Sequence, residues 1–200
     1  MVSPIIQRRV LNVPDGVFPT SSLTLLRYMA NAVFDAVRTV LAVREYQDKP
    51  IPNDVLGRIA EAGRLTASAS NRQPWHFVFV TDRQSLQELG RLVQTGPYIS
   101  GAAAAVVVAG ERDSPIAVSD VSRAVQSMIL TAWAEGVGSN WTGFTGLDAV
   151  RDHVGLPATY NVSAVLPLGY PKRKLGRGLK NRKPPQEVLS ADRFGNPLQL

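Results

Sequence analysis

Between Gly101 and Gly110 the chain reads GAAAAVVVAG, a run without a single polar side chain. A strand with one wet face alternates apolar and polar residues, so Ala103 to Ala109 is expected to form a strand buried on both faces. The run is only about half as long as a membrane-crossing helix needs, and no membrane span is expected. The rest of the chain can supply the cover. A chain of 200 residues should bury roughly 70% of its unfolded surface. With 44% hydrophobic and 19% charged residues, it has the composition of one ordinary soluble globular domain.

Periodicity places the other elements. Leu25, Leu26, Met29, Val33, Val37, Val40 and Leu41 recur at helical steps between Ser22 and Val43. Asn53 or Asp54 is expected to cap a second helix carrying Val55, Leu56, Ile59 and Ala62. His76 to Thr81 reads as a strand, and Asp82 as the cap of a short helix through Leu89 and Leu92. Ser119 opens a helix with Val121, Val125, Met128, Ile129, Ala132 and Trp133 on one face, and Gly136 is its expected C-cap. A strand from Ser139 to Gly143, a helix from Leu147 to Val154 and a strand from Val162 to Leu168 follow. Gly169 to Leu200 shows no clear helix. Helices alternating irregularly with four or five strands leave the class open between α+β and α/β.

Several chemistries lack their residues. Zero cysteines exclude disulfides, thiolate zinc sites, iron–sulfur clusters and cysteine nucleophiles together. His76 and His153 are the only histidines, which leaves little for a metal site or a histidine-based triad. No G-x-S-x-G elbow, Walker loop or H-E-x-x-H motif occurs. Gly136-x-Gly138-x-x-Trp141 is no dinucleotide fingerprint, because a helix precedes it and a strand follows. The opening MVSPIIQRRVLNVP has no apolar stretch after its charges, so no secretory signal is expected and the assignment is cytoplasmic.

The formal net charge of +6 favours an anionic ligand without naming one. Lys172, Arg173, Lys174, Arg177, Lys180, Arg182 and Lys183 crowd one segment near the C-terminus. That run fits a solvated tail or a phosphate-bearing ligand. Nucleic acid is not expected, since no aromatics interleave with the charges. The most informative loop is Thr66 to Phe77, TASASNRQPWHF. Small residues at Ser68, Ala69 and Ser70 let backbone approach a flat ligand, and Asn71 and Gln73 can both donate and accept.

SASNRQPWHF resembles the P-S-x-x-N-x-Q-P-W loop of the FMN-dependent nitroreductase family. VREYQDKPIPNDVLGRIAEAGRLT, GVGSNWTGF with LDAVRDHVGLP, and VLPLGYP with LKNRKPPQEVL resemble further family segments, in the family's order from about Val37 to Leu189. The resemblance implies an α+β fold with a central, mostly antiparallel sheet flanked by helices. It divides the chain into an arm and start of the first helix (1–33), a nitroreductase-like domain (34–189) and a tail (190–200). It also implies an intertwined homodimer with FMN in clefts that both chains line. By position, Ser68 and Asn71 would lie beside the flavin ring and ribityl chain. Thr142 and Gly143 would place backbone near the ring, and Arg44 would meet its pyrimidine edge. Lys180 and Arg182 match the family's phosphate-binding pair.

The implied activity is NAD(P)H-dependent, ping-pong reduction of a nitroaromatic, quinone or activated alkene, with no side chain nominated as general acid or base. The alternative is a flavin carrier or sequestering protein on the same fold. Where the family carries R-R-S or R-H-S, this chain has Val40-Leu41-Ala42, with Arg38 one turn earlier as the candidate substitute. The family's loop proline is Ala67, and the chain is short between Trp75 and Gly138. The apolar arm (Ile5, Ile6, Val10, Leu11, Val13, Val17, Phe18) is expected to pack along the partner. The helices Ser22–Val43 and Met128–Trp133 are expected to feed an apolar dimer interface.

Overall fold

The computed structural model describes residues 32–144, 146–175 and 180–199. The chain divides into two units, Met1–Arg38 and Thr39–Leu200. In the first, residues 32–38 are helical and Arg38 Nε donates to Asp35 Oδ1 at 2.6 Å. The expected arm, and the expected helix from Ser22 up to residue 31, lie outside the described residues.

The second unit is organised by the apolar run. Strands β1 (Trp75–Val80), β2 (Ala104–Glu111), β3 (Gly138–Ser139) and β4 (Tyr160–Gly169) form one antiparallel sheet in the order β1-β2-β4-β3. Side chains of β2 separate by parity, as the two-residue period requires. Ala104, Val106 and Val108 join Val55, Ile59, Val121, Val125 and Met128 of helices α1 (Asn53–Arg64) and α3 (Ala117–Ala134). Ala105, Val107 and Ala109 join Leu86, Leu89 and Val150 of α2 (Arg83–Leu92) and α4 (Asp148–His153). Helices therefore cover both faces. Burial of each such valine contributes about 1.5–3 kcal/mol.

Local chemistry fixes the helix ends. Asp82 accepts from Ser85 N at 2.7 Å and caps α2 as expected. Gly136, at φ +74°, closes α3. Its amide donates to Trp133 O at 3.0 Å, and Val137 N donates to Ala132 O at 2.8 Å. Other boundaries differ from the sequence reading. Pro52, not Asn53 or Asp54, caps α1, its carbonyl accepting from Val55 and Leu56. α3 begins at Ala117 rather than Ser119, because Ser114 and Ile116 carbonyls accept from the Ala117 and Asp120 amides. The first helix ends at residue 39, not Val43. Val43 is drawn to the sheet edge, where its amide donates to Ser139 O at 2.9 Å. Gly138 makes room for it, since a Cβ there would lie 2.4 Å from the Val43 side chain.

The expected strand at Ser139–Gly143 shortens to β3 plus an isolated bridge between Thr142 and Val165. The C-terminal segment holds one short helical turn, α5 (Pro185–Val188). On α3, Val121, Val125, Met128 and Ala132 are buried in the chain's own core, while Ile129 and Trp133 are only partly buried. No helix among the described residues is long and apolar enough to cross a membrane.

Candidate functional site

At the β3 end of the sheet, the irregular segment that follows Thr39 meets a turn that the sequence did not single out. Tyr46 is buried and donates its hydroxyl to Val43 O at 2.6 Å. Burial, with Tyr98 adding, pushes its phenol well above the usual tyrosine range. Arg44 points outward, with its guanidinium carbon 5.9 Å from the centre of the Tyr98 ring. Tyr98 stands on the 3-10 turn Pro97–Gly101. Its hydroxyl accepts from Asn140 Nδ2, which also donates to Trp141 O at 3.0 Å.

Thr95, just before this turn, clasps the next two residues of interest. Thr95 Oγ1 lies 3.1 Å from Thr142 Oγ1 and accepts from Gly143 N at 3.3 Å. Thr142 is buried, and its amide and carbonyl pair with Val165. Gly143 has φ +75°, a left-handed conformation that favours glycine. Arg44, Thr142 and Gly143 are thus served by one short segment, Thr95 to Tyr98, while the buried Asn140 fixes Tyr98. An amide side chain, Asn140, inside the Val137–Gly143 segment was the signal available in the sequence.

The Ser68–Gln73 turn is held differently. Ser68 Oγ accepts from Gln73 N at 2.9 Å, and Gln73 Nε2 donates to Asn71 Oδ1 at 3.1 Å. Ser70, Asn71 and Gln73 have φ of 51°, 54° and 51°. Left-handed backbone costs of order 1–3 kcal/mol at a non-glycine residue and concentrates at functional sites. The Ala69 amide, expected to be open to a ligand, instead donates to the buried Asp120 carboxylate at 3.2 Å. Arg123 pairs with the same carboxylate. Ser70, Asn71 and Arg72 expose their side chains on this turn.

These two clusters occupy opposite corners of the unit. Trp75, just after the turn, pairs with Gly110 on β2, whereas Ser139 pairs with Leu168 opposite Ala104. Ala104 and Gly110 are separated by roughly 20 Å of extended strand. Helix α3 gives the same interval. Asp120 holds Ala69 at one end, and at the other Trp133 Nε1 donates to Thr39 Oγ1 at 2.9 Å. From Asp120 to Trp133 is roughly 20 Å of helix. One chain does not bring Ser68 and Asn71 to Arg44.

Lys180 and Arg182 stand close to each other. Desolvation, and then the charge of Arg182, hold the Lys180 ammonium below the usual lysine range. Arg182 Nη1 donates to the neighbouring Asn181 carbonyl at 2.9 Å. Arg177 lies outside the described residues. Arg173 approaches Glu45 at 3.6 Å and, with Lys174, Gln47 and Trp133, lines an open cleft of about 400 Å³. Arg38 belongs to the first unit, paired with Asp35. Val40, Leu41 and Ala42 offer no side-chain donor, and Ala42 bridges to Ser139 through its backbone. Among the described residues no cluster of three His, Asp or Glu could hold a metal ion.

A family model described as Nitroreductase family matches residues 38–111 and 95–170. The chain belongs to the nitroreductase family. This nitroreductase-family chain is 33% identical over 145 residues to an Archaeoglobus fulgidus protein provisionally named NADH dehydrogenase/NAD(P)H nitroreductase, across 68% of this chain and 83% of the relative. Its fold matches the crystal structure of a protein of the same provisional name from Bacteroides thetaiotaomicron. There the TM-score is 0.76, with 26% identity over 82% of this chain and 99% of the other. A provisionally assigned nitroreductase of Desulfovibrio desulfuricans, solved in complex with FMN, matches with a TM-score of 0.72 and 26% identity. That match covers 81% of this chain and 97% of the other.

Proposed function

We propose that this nitroreductase-family chain binds FMN and works as an NAD(P)H-dependent oxidoreductase on a small oxidised acceptor: a nitroaromatic, a quinone or an activated alkene. The names of its relatives, and the FMN bound in the Desulfovibrio structure, support the class of cofactor and donor. The observation that carries the reading is Arg44. Its guanidinium rests on Tyr98 and has no hydrogen-bond or ion-pair partner among the described residues. Thr95, three residues before Tyr98, accepts from the Gly143 amide at 3.3 Å. A cation without an acid partner, seated on an aromatic ring, fits the electron-rich pyrimidine edge of a flavin.

Bound FMN would supply two-electron chemistry between NAD(P)H and the acceptor. The chain's own groups have separable tasks. Arg44 favours negative charge on the pyrimidine edge, and Thr142 and Gly143 present ordered backbone. Lys180 and Arg182 hold the phosphate, replacing donors that Val40, Leu41 and Ala42 cannot provide. Ser68 and Asn71 serve the cleft of a second copy, because they stand at the corner remote from Arg44. The functional unit on this reading is a homodimer. Leu65, Val118 and Phe144, all strongly exposed, supply apolar surface that a partner would cover.

The test is direct. Freshly purified protein should be yellow with the spectrum of oxidised flavin, and FMN-loaded protein should oxidise NADH or NADPH when a quinone is supplied. The lost donors at Val40–Ala42 favour one other reading, a flavin carrier on the same fold. A flavin spectrum with no turnover of either nucleotide would support the carrier. A colourless protein that takes up no FMN would contradict both.

A further inference from the structure

Arg44 is a long, flexible cation on the surface, and left alone its guanidinium would sample many rotamers. What restrains it is Tyr98, whose ring centre lies 5.9 Å from the guanidinium carbon. Tyr98 is fixed from behind, its ring packing against Val43, Tyr46 and Ala102. Its hydroxyl accepts from Nδ2 of Asn140, a buried side chain that is itself tied to Trp141 O. A buried amide thus locks a half-buried phenol, and the phenol seats an exposed cation. Both neighbours come from sequence-distant elements, so the arrangement belongs to the folded core and not to a local turn.

We propose that Tyr98 is a positioning residue that acts through Arg44: it fixes the guanidinium for the pyrimidine edge of FMN, with Asn140 as its lock. The inference rests on the flavin reading above. It assigns a task to the Thr95–Tyr98 turn, which lies in the stretch where this chain is shorter than its family resemblance leads one to expect. A seated cation favours the reduced, more negative flavin over the oxidised one, so losing the seat should lower the flavin's midpoint potential.

The experiment measures the two-electron midpoint potential of bound FMN in the parent, Tyr98→Leu, Tyr98→Phe and Arg44→Gln proteins, and in both Tyr98 variants combined with Arg44→Gln. Tyr98→Leu should weaken the preference for reduced FMN about three- to tenfold, a fall of about 15–30 mV. Tyr98→Phe keeps the ring but loses the Asn140 bond, and should cost about twofold, or about 10 mV. In the Arg44→Gln background neither Tyr98 change should move the potential further. The Phe variant keeps the test open even if the Leu variant does not fold. Shifts that persist without Arg44, or an unmoved potential in both single Tyr98 variants, would overturn the proposal while leaving the flavin reading intact. A parent protein that binds no FMN would instead overturn that reading, and this inference with it.

Discussion

The Ala69 amide donates to the buried Asp120 carboxylate at 3.2 Å, so the turn carrying Ser68 and Asn71 is tied to the start of α3. Removing the carboxylate would strand a part-buried N–H and free Arg123. Asp120→Ala should therefore lower stability by about 1–3 kcal/mol in chemical denaturation. The strained left-handed residues should then relax, and FMN affinity should fall with them. Full stability in this variant would show that the turn is held by something else.

Gly96 tests the clasp around Thr142. Its φ is −135°, so no left-handed strain confuses the result, yet a Cβ would lie 2.9 Å from both Cγ2 and Oγ1 of Thr142. Gly96→Ala should cost about 1–3 kcal/mol through overpacking. At Gly101, where a Cβ meets nothing within 4 Å, the same change should stay within about 0.5 kcal/mol. Thermal and urea unfolding of the two variants gives the comparison.

Phosphate recognition should carry its own pH signature. Lys180 is held below the usual lysine range by desolvation and by Arg182, and a bound phosphate favours its charged form. FMN affinity should therefore be full while Lys180 is protonated and decline as pH rises through its lowered pKa. Riboflavin, without a phosphate, should show no such decline. Arg182→Ala should weaken FMN about ten- to a hundredfold. It should also move the alkaline decline upward, because the repelling charge is gone. Flavin fluorescence titrations follow both effects, and Arg177→Ala serves as the control expected to change little.

What the sequence disclosed follows from the range of each interaction. The doubly buried strand, the Asp82 cap and the Gly136 closure are written in neighbouring residues, and periodicity or a single side chain reveals them. The end of the first helix was misplaced because tertiary pairing of Val43 with Ser139 overrides a helical pattern that continues through Leu41. Tyr98 and Asn140 are 42 residues apart and Thr95 and Thr142 are 47 apart, so no local pattern links them. Asp120 sits where a first-turn acid on a surface helix would sit. Only the turn at Ala69, folding over it, makes it a buried anchor. The apolar stripe of α3 was legible as a stripe, but the sequence could not say which of its residues the chain's own sheet and α1 would bury.

The central claim is that one flavin cleft takes Arg44 from one copy and Ser68 with Asn71 from the other, since roughly 20 Å separates these corners within a chain. The most direct measurement mixes two defective proteins, Arg44→Gln and the double variant Ser68→Ala/Asn71→Ala, refolds them together and reads bound flavin by its visible absorbance. If the cleft is shared, each mixed dimer contains one intact and one doubly defective cleft, and flavin uptake should rise well above that of either protein refolded alone. If each chain builds its whole site, every cleft in the mixture stays defective. Uptake no greater than that of the separate proteins would contradict the account.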